Sequence, residues 1–157
     1  MDHSTTAAAH TLALKGINGL KTLAKKLRSY FEANCRNLDL HIVSRFPKSS
    51  CETSSLVLGK ILYDEFPEKE ILLVKGTNTK KYEMHFWVEA DGHTFDITAD
   101  QFNGIEEPIY GLASSKIHKR FNCVEKIKIS DALTTNSFAT GCTDEFERIS
   151  KEIRAKT

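Results

Sequence analysis

Apolar residues recur along this chain in two rhythms, and the change between them falls at Pro67. Before Pro67 they return every three or four residues. Ile17, Leu20, Leu23, Ala24, Leu27, Tyr30 and Phe31 make one stripe, which predicts a helix from about Ser4 to Asn34, its first part loosened by Gly16 and Gly19. Leu56, Leu58, Ile61, Leu62 and Phe66 make another, which predicts a helix from Cys51 to about Phe66 that Pro67 ends. Leu38 to Phe46 reads as a connector with room for a short strand. After Pro67 the pattern shortens. Ile71 to Lys75 is an apolar run closed by Gly76, as in a buried strand. Tyr82 to Ala90 and His93 to Thr98 read as two strands joined by Asp91-Gly92, a pair suited to the positive φ angles of a two-residue hairpin turn. Residues 99 to 121 carry Gly104, Pro108 and Gly111 and read as a long loop draped over a site. Cys123 to Ile129 alternates as a further strand, and 131 to 141 reads as irregular. Thr143 is placed to cap a last helix bearing Phe146, Ile149 and Ile153 on one face. Helices first and antiparallel strands afterwards predict an α+β domain, with the Cys51 helix packed on a sheet of about four strands.

The second helix opens in the run Phe46-Pro47-Lys48-Ser49-Ser50-Cys51-Glu52. Ser49 and Glu52 stand at the spacing of a capping box, which puts Cys51 in the first turn. There the positive end of the helix dipole favours a thiolate, the form that attacks carbonyls. The hairpin supplies partners for it. With Asp91 and Gly92 as the turn, Ala90 pairs with His93, Val88 with Phe95 and Trp87 with Asp96, and His85 lies one diagonal step from Asp96. One face then carries His85, Trp87, Glu89, Thr94, Asp96 and Thr98, and the other carries Phe86, Val88, Ala90, His93, Phe95 and Ile97. A base, an acid and the single Trp share the polar side. His93, the rival base, points to the apolar side.

These residue types suit acyl transfer. Cys51 attacks a carbonyl, His85 takes and returns the proton, and Asp96 orients the imidazole and supports its charge. The Cys51 backbone N–H would meet the oxyanion. A second donor is required, and Trp87, Arg45 and Gln101 are the candidates.

Composition narrows the class. The chain has 157 residues, 22 basic against 21 acidic ones, and a formal charge of +1, so nothing draws the whole molecule to nucleic acid or to an anionic membrane. The basic clusters Lys25, Lys26, Arg28 and Lys116, His118, Lys119, Arg120 read as solvated surface. No run is apolar enough to span a bilayer, and Met1 to Ala9 lacks the character of a signal peptide, so a cytoplasmic location is expected. Cys35, Cys123 and Cys142 read as inert core residues, and the four cysteines show neither zinc-site spacing nor the density of a disulfide scaffold. A metal held by Cys51, His85 and Asp96 lacks a fourth ligand, so neither a metal nor a cofactor is expected.

Cys51, His85-Phe86-Trp87-Val88, Asp91-Gly92 and Phe95-Asp96-Ile97-Thr98 together resemble the transglutaminase-like branch of the papain-like cysteine enzymes. In that family a Cys opens a helix, the catalytic His begins a strand, and a returning strand bears the Asp. The resemblance covers roughly residues 47 to 102. It implies a papain-like/transglutaminase-like α+β fold with 47–130 as the catalytic core. The flanking N- and C-terminal helices are not explained by the resemblance, and the chain reads as one domain over 1–157 with 1–34 as an N-terminal helical extension. The activity implied is that of a thiol hydrolase (a peptidase or amidase) acting on protein or peptide amides. A protein transglutaminase or deamidase using Cys51, His85 and Asp96 is the alternative, and a non-catalytic binding module on the same fold is another. Trp87 is the expected substrate contact, with pockets in loops 77–82 and 99–121, and the N-terminal helix is an expected surface for a protein partner. This chain departs from the family at Ser50 and Glu52 beside the Cys, and at Arg45 and Phe46, where papain-type enzymes place a Gln.

Overall fold

The change of rhythm at Pro67 is a change of layer. In the computed structural model, which describes residues 16–40 and 43–155, helices come first: α1 (Ile17–Asn34) and α2 (Cys51–Glu65). Five strands follow: β1 (Ile71–Asn78), β2 (Glu83–Ala90), β3 (His93–Asp96), β4 (Ile109–Leu112) and β5 (Cys123–Lys128). Three helices close the chain, α3 (Ile129–Thr135), α4 (Ser137–Gly141) and α5 (Thr143–Ala155). The strands form one antiparallel sheet in the order β4-β3-β2-β1-β5, so the architecture is α+β. Among the described residues no helix is long and apolar enough to cross a membrane.

α2 is the hub. It packs on β1 and β2 and also touches α1, α3 and α5. Leu56, Val57, Leu58, Ile61 and Leu62 on it are all buried, each worth roughly 1.5–3 kcal/mol relative to exposure. Its first turns carry Thr53, Ser54 and Ser55, small side chains that are buried as well. The apolar stripe of α1 enters the same core: Leu20, Leu23, Leu27 and Phe31 are buried with the α2 residues and with Phe146, Ile149 and Ile153 of α5. The apolar stripe of α1 is therefore covered within the chain.

The hairpin forms in the expected register, with Val88 opposite Phe95, Glu89 opposite Thr94 and Ala90 opposite His93. Asp91 and Gly92 both take positive φ, 49° and 77°, as the two-residue turn demands.

Several expectations are corrected. The sheet has five strands, because β4 forms inside the segment read as loop. Gly111 at φ 79° had disguised that strand. Residues 131–141 lie within α3 and α4, where Asn136 accepts from the N–H groups of Phe138 and Ala139. The capping box does not form: Ser49 sits at φ 58°, Ser50 precedes the helix, and Glu52 accepts instead from Asn136. Thr143 is inside the helical rise, its hydroxyl donating back to the Ala139 and Thr140 carbonyls. Cys123 is exposed on the edge strand and not in the core. The first part of the predicted α1, Ser4 to Lys15, lies outside the described residues, as do His41 and Ile42 of the connector.

Candidate active site

The start of α2 places Cys51. The first backbone hydrogen bond of the helix runs from the Ser54 N–H to the Ser50 carbonyl, so the N–H of Cys51 has no partner one turn behind it in the helix. Cys51 is half-buried, and it lies near enough to His85 to help hold the proton on the imidazole.

β2 and β3 bring the other two residues together. The His85 Nε2–H donates to Asp96 Oδ2 at 2.6 Å, and both side chains are buried. With Nε2 committed, Nδ1 is the ring nitrogen left for the thiol. Asp96 is saturated with donors. Oδ2 also accepts from His118 Nε2–H at 2.8 Å, and Oδ1 accepts from the Thr98 N–H at 3.1 Å and the Thr98 hydroxyl at 3.2 Å. Burial alone would raise the Asp96 pKa. The His85 charge and the donors from His118 and His85 outweigh it, and the value falls to about 2. For His85, burial works downward, and the Asp96 charge and hydrogen bond, aided by Cys51, overcome it and lift the pKa to about 9. The pair therefore stands as imidazolium and carboxylate at neutral pH.

An aromatic roof encloses the polar face. Trp87 stacks on His118 with ring centres 4.1 Å apart, and Phe121 and Phe102 close around His85. Trp87, expected as a substrate contact, is 3% exposed and serves here as the support for His118. Gly76 is required for that packing. A methyl group there would lie 2.7 Å from the Trp87 ring and 2.8 Å from Phe121. His93 stays away from the site, half-exposed at the hairpin turn with Nδ1 on the Asp91 carbonyl.

His118 and Arg28 are functional-site neighbours that charge reading had assigned to solvated surface. Arg28 is half-buried and grips Asp100 through two bonds of 2.6 and 2.8 Å while donating to the Ile97 carbonyl at 2.7 Å. It ties α1 to the turn after β3. The signal for His118 was its place in a segment expected to cover a site. Its pairing with Asp96 has no local sequence signature.

A groove of about 590 Å³ is lined by Glu52, Leu73, Lys75, Phe86, Glu125 and Asn136 among others, and none of Cys51, His85 and Asp96 lines it. Its walls come from the sheet and helices, not from loops 77–82 and 99–121, where pockets were expected.

His85, Asp96 and His118 also form a group that could hold a metal ion, their ligand atoms lying within 4.8 Å of one another. Cys51 is not part of that group. No family model matches the chain, and no curated protein or solved structure matches it either.

Proposed function

We propose that this chain is a cysteine-dependent acyl-transfer enzyme of the papain-like/transglutaminase-like kind, acting on amide bonds of proteins or peptides. The observation that carries the reading is the placement of His85, whose Nε2 is held by Asp96 at 2.6 Å while Cys51, at a helix start, helps to raise its pKa. The Cys51 sulfur attacks the carbonyl carbon and forms the C–S bond. The displaced π pair becomes an oxyanion, which the Cys51 N–H meets. Collapse of that intermediate breaks the C–N bond, and the imidazolium of His85 gives its proton to the departing amine. Water, activated by the now neutral His85, resolves the acyl-enzyme in hydrolysis. An amine nucleophile would resolve it in transglutamination, and water acting on a glutamine side chain would give deamidation.

The test is mass-spectrometric labelling with an electrophilic glutamine mimic. Cys51→Ala should abolish labelling. His85→Ala should slow it by roughly 100-fold or more at neutral pH, and Asp96→Asn should fall between these and the parent. Parent-like labelling of Cys51→Ala would overturn the reading.

The metal-capable group His85, Asp96 and His118 supports a second reading, a metal centre that uses no thiol. Stoichiometric metal in the purified protein, lost in His118→Ala, together with activity that survives Cys51→Ala, would put that reading first.

A further inference from the structure

The acyl-transfer reading leaves one part unassigned, the second donor for the oxyanion. Two of the three candidates are occupied elsewhere. Arg45 is exposed and lines a separate cavity with Glu32, Cys35 and Arg36. Trp87 is enclosed, with its ring stacked on His118.

Gln101 stands differently. Its Nε2 lies 3.3 Å from Thr98 Oγ1 and 3.4 Å from His85 Nδ1, so one amide N–H is on the threonine and the other faces the imidazole. Nδ1 is the nitrogen that Asp96 leaves free, so the Gln101 amide lies on the open side of the imidazole whose proton Cys51 helps to hold. The residue is also well anchored. Its backbone N–H donates to the Thr98 carbonyl at 3.1 Å, and its neighbour Asp100 is clamped by Arg28. Thr98 in turn donates to Asp96, so the amide hangs from the frame that orients the base.

We propose that Gln101 is the second oxyanion donor, its free N–H meeting the carbonyl oxygen of a carboxylic-acid derivative attacked by Cys51. This rests on the acyl-transfer reading and deepens it. The 3.4 Å separation from Nδ1 is long for a hydrogen bond. His85 is an imidazolium at neutral pH, so Nδ1 offers no lone pair and the amide N–H has no acceptor there. It turns to the substrate oxygen as negative charge develops, while its partner N–H stays on Thr98. A neutral donor held in this way stabilises the oxyanion without competing with the thiolate for the imidazolium.

Two reactions of the same thiol separate this role from a structural one. Alkylation by iodoacetamide forms a C–S bond as iodide leaves with the bonding pair, and no oxyanion arises. Acylation by p-nitrophenyl acetate forms a C–S bond through a tetrahedral oxyanion, and nitrophenolate leaves with the C–O pair. Both are measured on Cys51 in a Cys123→Ser background, which removes the exposed thiol. Gln101→Ala and Gln101→Leu, the second keeping the bulk without the donor, should lower acylation about 100- to 1,000-fold. Alkylation should stay within about twofold of the parent, which also reports an intact fold. Unchanged acylation in both variants overturns the proposal. An equal fall in both reactions also overturns it, because Gln101 would then act only by placing His85. A parent Cys51 that reacts no faster than Cys35 and Cys142 in either reaction would overturn the enzyme reading, and this role with it.

Discussion

The two faces of the β2–β3 hairpin are buried equally and built oppositely. On one, Val88, Ala90, Phe95 and Ile97 are at most 2% exposed and carry no polar side-chain atom. On the other, His85, Asp96 and Thr98 are each 1% exposed, and every oxygen of Asp96 is matched to donors. Water is excluded from both. The aliphatic face gains free energy from that exclusion without further conditions. The polar face would lose it unless each charge and donor finds a partner, because an unpaired buried ion costs several kcal/mol. The chain keeps an expensive ionic cluster where an aliphatic one would fold as well. That contrast makes the polar face the one on which the proposed chemistry rests.

The largest effect on stability should come from the aliphatic face. Phe95→Ala empties a large, fully buried site and should cost about 3–5 kcal/mol in urea unfolding. Activity per folded molecule should change little. A loss of labelling out of proportion to unfolding would erase the contrast between the faces.

The polar face should reveal itself through pH. The folded His85 binds its proton more tightly than the unfolded chain does, with a pKa of about 9 against 6.5. Its contribution is therefore complete below pH 6.5 and is lost as pH rises through 9. Asp96 shifts the other way, from 3.8 to about 2, so its contribution is complete above 3.8 and is lost as pH falls through 2. Stability should be flat between 3.8 and 6.5 and should decline on the alkaline side by up to about 3 kcal/mol. Replacing His85 by Gln should remove the alkaline decline, and an unaltered slope would show that the group is not the one titrating. Phe95→Ala should keep the slope while lowering the whole curve.

The smallest effect belongs to His93, which the hairpin parity sets apart from the site. His93→Ala should change stability by less than about 0.5 kcal/mol and leave labelling intact. Damage equal to that of His85→Ala would mean that the two histidines had been given each other's roles.

Elements governed by local rules were legible in the sequence. Asp91-Gly92 set the hairpin and its register, and register determined that His85 and Asp96 share a face. Pro67 and the helical stripe set the extent of α2, and with it the place of Cys51. What stayed hidden depended on distant contacts. His118 reaches Asp96 across 22 positions, and Arg28 reaches Asp100 across 72, and neither partner is marked by spacing. β4 escaped notice because a short strand with a positive-φ glycine resembles a turn until its neighbour β3 is in place. β5 was legible from its alternation as a strand, and all six of its residues are exposed at the sheet edge. Gln101 was visible as a residue, but only geometry separates it from Arg45 and Trp87.

The central claim is that Cys51 and His85 act as one unit, and the rate of Cys51 alkylation against pH tests it directly. In the Cys123→Ser background, Cys51 should react well ahead of Cys35 and Cys142 and should keep its rate from pH 8 down to about 6, because His85 holds its proton throughout that range. In His85→Ala the advantage should vanish, and the rate should fall about tenfold for each pH unit, as for an ordinary thiol. If Cys51 follows that ordinary slope in the parent as well, at the same rate with or without His85, the thiol and the imidazole are neighbours only, and the account fails.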